Sequence, residues 1–422
     1  MNARAKRQTT PTKENKMFQR TIIAAALITT TFASMANELV IAGRDSSYGK
    51  AMQYVVNEYQ QAYPNTNITL VKRPSKGLYE SITLSMREKT GNYDVILMDD
   101  TWAPEFFSNQ WLTPLSEKVE DKDFIKAPFD IGRYPDTQST AYAMPMVGNV
   151  AMFAWNRTVF DKHQLTQPKT WTDVLNSAKE ISQTSKTNGV VFRGVKGNPI
   201  VTGFLPILWG YGASVVDQNG QATLDTSEAK QALETFLKMK QYAPRGVDVY
   251  NADEVRNSLQ KGTSAMAIEV WPAWVPNLDN PEMSAVVGEM EIMAPPTEVG
   301  QSAPMLGIWQ LAIPADAKNK TDAETFLQFA TSANIQKTLA LNYGIPPTRE
   351  SVYFDKEVVA KYRWYPQQAA ALKTGKARPR IQNWAEVESI LGDYLQMAMM
   401  GQMTAEQALK QAQRSIARII KV

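Results

Sequence analysis

The chain has 422 residues, 44% of them hydrophobic and 21% charged, with 45 Lys and Arg against 42 Asp and Glu. It contains no Cys and a single His, His163, which excludes disulfides and thiolate sites and any His-clustered metal site or catalytic triad that bypasses that residue. Six of the basic residues and one of the acids fall in the first 36 positions, so the rest is slightly acidic and carries no nucleic-acid footprint.

Those six bases, Arg4, Lys6, Arg7, Lys13, Lys16 and Arg20, precede an apolar run, Thr21 to Ala33, that ends at Ser34-Met35-Ala36. A basic stretch, a short apolar stretch and a small-x-small end read as a secretory signal peptide over 1–36. The apolar run is well short of the ~20 residues that span a bilayer. A periplasmic protein is therefore expected. The remaining length exceeds the roughly 250–300 residues at which one core stops growing, so two domains are expected.

Leu39–Ala42 reads as a buried strand. Ser46-Ser47 is placed to cap a helix carrying Met52, Val55, Val56, Tyr59 and Ala62 at helical spacing. Ile68–Val71 reads as a strand, Leu78–Met86 as a helix, and Val95–Met98 as a third, continuously apolar strand. This alternation predicts a mostly parallel sheet covered on both faces. Ala141–Pro145 and Ala151–Asn156 read as strands about a crossing. A second α/β unit follows: a helix over Trp171–Ser182, a strand over Gly189–Arg193, an apolar segment Phe204–Trp209, a helix over Ser227–Tyr242 and a strand over Ser264–Ile268. Glu291–Met293 and Leu311–Ile313 read as strands, and Ala323–Thr338 as one helix. Two long helices close the chain, from about Asn383 to Met400 and from Thr404, where Thr404-Ala405-Glu406-Gln407 fits a capping box.

Ligands of open α/β sheets bind beyond the carboxyl ends of strands. Asp99, Asp100 and Trp102 follow the third strand directly. Carboxylates accept hydrogen bonds from hydroxyls, and an indole covers the C–H face of a sugar. The same residues also suit capping and packing of the next helix. The aromatic candidates near strand or loop ends are Trp102, Trp155, Trp209, Trp271 and Trp309. The polar candidates are Arg44 and Asp45 after the first strand, Asp100, Asn149, Arg193 after Val190-Val191-Phe192, and Arg380 in Arg378-Pro379-Arg380. Arginine presents a planar fork of donors matched to vicinal hydroxyls or a carboxylate. Each of these side chains also fits a core or surface role.

Four segments carry a resemblance to a known family. They are Asp94–Met98 with Phe106–Leu115; Tyr142–Pro145 with Phe153–Asn156; Gly307–Ile313 with Ala323–Phe329 and Gly344–Arg349; and Gly401–Leu409. In this order and behind a leader, they make the chain resemble the extracellular solute-binding proteins of ABC importers, the group that includes the maltose-binding protein. The resemblance implies an α/β, type II periplasmic-binding-protein fold. Its two lobes, with mixed, mostly parallel sheets, would be joined by hinge crossings, one lobe over 37–145 plus 295–345 and the other over 146–294 plus 346–422. It implies a monomer that closes on a sugar or polyol and delivers it to a membrane permease, with no cofactor and no catalysis. It also ranks Trp271 and Trp309 first as ligand contacts. Trp155-Asn156 stands where close sugar binders often carry Tyr-Asn, which leaves the ligand open.

The alternatives are a quaternary-ammonium solute held by cation–π attraction, an oligosaccharide, and an acidic sugar bound by Arg193 or Arg380. A secreted carbohydrate-active enzyme would need a working pair such as Asp99/Asp100 or Asp45/Asp100, and adjacent strand residues point to opposite faces. A structural adaptor would lack a concave site. Acid-rich loops leave calcium open.

Overall fold

The computed structural model describes residues 37–420; the expected leader lies outside them. Nine strands form two mixed sheets. They are β1 (Asn37–Arg44), β2 (Thr66–Arg73), β3 (Val95–Asp99), β4 (Ala143–Val147), β5 (Met152–Asn156), β6 (Asn188–Val191), β7 (Ser264–Val270), β8 (Met290–Met293) and β9 (Trp309–Ala312). The first sheet has the order β2-β1-β3-β9-β4 and the second β6-β7-β5-β8. Parallel pairing holds along β2-β1-β3 and in β6-β7, where helices make the crossovers. The remaining neighbours are antiparallel, so each sheet is mixed.

Each sheet has its own apolar core. One gathers β1, β3, β4 and β9 with Met52, Val55, Tyr59, Ile82, Phe106 and Phe326. The other gathers β5, β6, β7 and β8 with Trp171, Phe204, Phe236, Trp384 and Leu391. β3, β4, β5 and β7 are apolar along most of their length because helices or loops cover both faces. The chain crosses between the sheets at 148–151, 294–308 and 344–349. These crossings are tied together: Ala151 donates to the Met305 carbonyl, Gly307 to that of Asn149, and Gly148 to that of Pro346. A side chain at Gly148 would meet the Pro347 carbonyl oxygen at 2.0 Å, so only glycine fits there.

Two local expectations are corrected, and one segment left without an element type is assigned. Ala323–Thr338 is two helices, Lys320–Ala330 and Ala333–Tyr343. The break comes where the Thr331 hydroxyl bonds back to the Leu327 carbonyl and Ser332 takes extended dihedrals. The N-cap of the first helix, Ser46–Ala62, is Asp45, and Ser46 has a positive φ. Phe204–Trp209 belongs to a helix, Asn198–Gly210, buried almost all round, which accounts for its lack of a polar face. The capping box at Thr404 and Gln407 is present.

Candidate functional site

β1, β3, β6 and β7 end at one cavity, and β9, running antiparallel, begins there. The cavity measures about 230 Å³. β1 brings Arg44 and then Tyr48, β3 brings Asp99, β7 leads to Trp271, and Trp309 opens β9. Arg193 lies two residues past β6, and Asn149 and Gly307 come from the crossings. Arg378 enters from the segment between the helices Tyr365–Thr374 and Trp384–Met399. The site therefore draws on both cores and on the segments that connect them, as expected for an α/β protein that binds beyond its strand ends.

Three guanidinium groups face this space with one carboxylate, Asp99. Arg193 is held by the fully buried Glu269, with Nε–Oε1 at 2.5 Å and Nη2–Oε2 at 3.0 Å, and it also donates to the Thr202 hydroxyl. It lies 5.9 and 5.7 Å from the rings of Trp271 and Trp274. Arg378 donates to Asp99 Oδ1 at 2.8 Å and to Asp100. Arg44 has no such support; its guanidinium rests over Tyr48 at 4.8 Å and Trp309 at 4.7 Å. Two hydrogen bonds tie Tyr48 to the crossings: Asn149 Nδ2 donates to the Tyr48 hydroxyl at 2.8 Å, and Gly307 N–H donates to the Asn149 carbonyl at 3.0 Å. Gly307 leaves room for the Trp271 indole, which a Cβ there would meet at 3.0 Å.

Electrostatics separate the two adjacent aspartates. Burial pushes the Asp100 carboxyl up to about 8; Arg378 opposes the rise and the Asp99 charge adds to it. Burial also works against ionisation of Asp99, but Arg378 and the Thr101 hydrogen bonds outweigh it, and the Asp99 pKa falls. Burial raises the Tyr48 hydroxyl above its usual value. Among the described residues no three acidic or His side chains converge as a metal site.

The structure brings Arg44, Asn149, Arg193, Trp271 and Trp309 to the cavity. Asp100 lies behind it, its main-chain N–H bonded to the Ile308 carbonyl. Trp102 lies edge-on to Trp309 at 5.5 Å and lines a neighbouring cavity of about 570 Å³ with Tyr79, Glu105, Trp384 and Glu388. A hydrogen bond from Asn198 to Glu388, 2.8 Å long, links the walls of the two spaces.

Four candidates are placed elsewhere. Trp155 pairs with Met266 and Glu291, at the end of β5 remote from Trp271, and packs edge-on against Phe160. Trp209 is buried in its helix with the Lys376 ammonium 4.9 Å from its ring. Asp45 sits at a helix start and accepts from the Ser46 hydroxyl. Arg380 donates to the Arg133 carbonyl at 2.7 Å and covers Phe107.

Sequence reading missed Tyr48, Arg378, Asn198, Thr202 and Gly307, and preferred Asp100 to Asp99. Strand alternation was the one available signal for the aspartates. Asp99 ends β3 opposite Trp309 and lines the cavity, and Asp100, the next residue, does not.

Two α/β halves about a cavity lined by indoles and guanidinium groups define a binding protein of the type II periplasmic fold. The chain belongs to the bacterial extracellular solute-binding proteins, whose family model matches residues 43–337. It is 23% identical to the mannitol-binding protein of Pseudomonas aeruginosa, across 96% of this chain and 98% of that one. Among solved structures it is similar to an Agrobacterium vitis solute-binding protein with bound D-mannitol, at 25% identity, TM-score 0.73, and 91% and 98% coverage of the two chains. A solute-binding protein from Agrobacterium radiobacter, in complex with ribitol, gives TM-score 0.79 at 24% identity, covering 91% of this chain and 99% of that one.

Proposed function

We propose that this protein is the periplasmic receptor of an ABC-type importer. It captures a sugar or polyol of single-unit size between its halves and hands it to the permease. The observation that carries the reading is the meeting, in one small cavity, of Trp271, Trp309 and Tyr48 with Arg44, Asp99, Arg193 and Arg378. Flat aromatics cover apolar sugar faces, and fixed polar groups orient hydroxyls. A volume of about 230 Å³ lies below the roughly 300–1,000 Å³ typical of drug-sized ligands, which supports one sugar unit over an oligosaccharide.

On this reading the two lobes are 37–145 plus 295–345 and 146–294 plus 346–422. Arg378 of the second reaches Asp99 and Asp100 of the first, and solute contacts on both sides stabilise the closed arrangement. One guanidinium occupies both aspartates, which supports a receptor over a glycosidase, whose carboxyl pair must be free to act as acid and base or nucleophile. The leader 1–36 would direct the protein to the periplasm, where it works as a monomer.

A thermal-shift screen of the purified protein against sugars, alditols and betaines tests the reading. A native-only ligand at 100 Kd adds about 2.7 kcal/mol, enough to raise the midpoint measurably, and scattering should show compaction with the same ligand. No shift with any sugar, polyol, sugar acid or sugar phosphate added to the same screen, or sustained release of a reaction product, would overturn the proposal.

A further inference from the structure

Arg44 differs from the other two arginines of the cavity in what stands behind it. Glu269 balances Arg193, and Arg378 is paired with Asp99 and also bonded to Asp100. Among the described residues Arg44 forms no ion pair, and its buried Nε has no hydrogen-bond partner. Only the faces of Tyr48 and Trp309 support it. Asp45 follows it in sequence, but this carboxylate accepts from Ser46 and does not line the cavity.

The cavity thus holds one cation that no protein group neutralises. A guanidinium in a partly desolvated site, already oriented by two rings, is a ready fork for a bidentate oxyanion. Neutral hydroxyls can accept from it but leave its charge uncompensated. The suppressed ionisation of Asp100 points the same way, because it leaves Arg378 balanced by Asp99 alone and the space with an excess positive charge.

We propose that the solute carries an anionic group, the carboxylate of a sugar acid or the phosphate of a sugar phosphate, and that Arg44 receives it. This rests on the reading of the cavity as the solute site. Trp271 and Trp309 then cover the sugar carbons, and Arg193, Asp99 and Asn149 orient the hydroxyls. Arg193 and Arg380, the residues first suited to an acid, are not available for it: Arg193 is committed to Glu269, and Arg380 lies outside the cavity.

The test is calorimetric titration of the full chain with matched probes. These are D-mannitol, D-mannose, D-mannonate, D-mannuronate and D-mannose 6-phosphate, with their gluco and galacto counterparts. At least one acid or phosphate should bind tenfold or more tighter than its neutral partner, and the better of the two classes identifies the anion. In Arg44→Gln this preference should fall below threefold. Arg44→Lys, which keeps the charge without the fork, should retain an intermediate preference. If Arg44→Gln fails to fold, the lysine variant and the loss of wild-type preference between low and high salt report the same charge. Anions that bind no tighter than neutral partners, or a preference that survives in Arg44→Gln, would overturn the proposal while leaving the receptor reading intact. Absence of binding by every probe would overturn both.

Discussion

Arg193 grips both oxygens of Glu269, through Nε at 2.5 Å and Nη2 at 3.0 Å, with Glu269 completely buried in β7. The ion pair sits behind the cavity wall and sets where the third guanidinium nitrogen can point. Breaking one side leaves an uncompensated charge, which costs about 3–5 kcal/mol when buried. Glu269→Ala should lower unfolding free energy by that amount in urea titrations. A loss under about 1 kcal/mol would show that water reaches Arg193.

Gly307 sets the depth of the Trp271 side of the cavity. A methyl group there stands 3.0 and 3.2 Å from two indole carbons, so the ring must move by a few tenths of an ångström. Gly307→Ala should weaken solute binding by on the order of tenfold, or ~1.4 kcal/mol. Titration checks the affinity and circular dichroism the fold. Unchanged affinity would mean that Trp271 does not touch the solute.

Asp100 should leave a signature in stability against pH. Its carboxyl is raised to about 8 in the native protein, against roughly 3.9 when unfolded. The native state therefore holds this proton more tightly. The resulting stabilisation is complete below about pH 4 and is lost as pH climbs to about 8. Asp100→Asn cannot titrate, so wild type should lose stability relative to it across that window. Denaturation midpoints of the two proteins at pH 5 and pH 8 give the comparison; a relative gain for wild type on raising the pH would show Asp100 ionised in the fold.

Trp155→Phe and Arg380→Gln should leave solute affinity within about twofold, a span of roughly 0.4 kcal/mol. Trp155 packs on Phe160 and Arg380 holds the Arg133 carbonyl, both away from the cavity. A tenfold loss in either variant would redraw the site.

Much of the fold was legible because its strands and helices carry strong local signals. β3 is apolar from Val95 to Met98 and β7 from Ala265 to Ile268, and the Thr404 box starts its helix as read. The site was legible where a residue ends a strand or directly follows one: Arg44 and Trp271 needed only the rule that ligands meet strand ends. Arg378 and Arg380 could not be ranked from sequence. They sit two apart in a loop, and only the tertiary position of Asp99 decides which is drawn into the cavity. Tyr48 reads as the first turn of a helix, and nothing local shows that its hydroxyl meets Asn149, 101 residues away. Trp155 and Trp209 could not be placed from sequence because an indole at the end of an apolar run has the same local pattern whether it lines a cleft or fills a core.

β9 lies between β3 and β4, with Leu311 opposite both Leu97 and Met144. An interior strand of the first sheet is thus supplied by residues made after every strand of the second. An emerging chain holds a gap in its first sheet until Trp309–Ala312 arrives, and the pairing that fills it spans more than 160 residues on one side and more than 200 on the other. Such distant pairing is slow to form. The architecture thus delays completion of the first half until synthesis is well advanced.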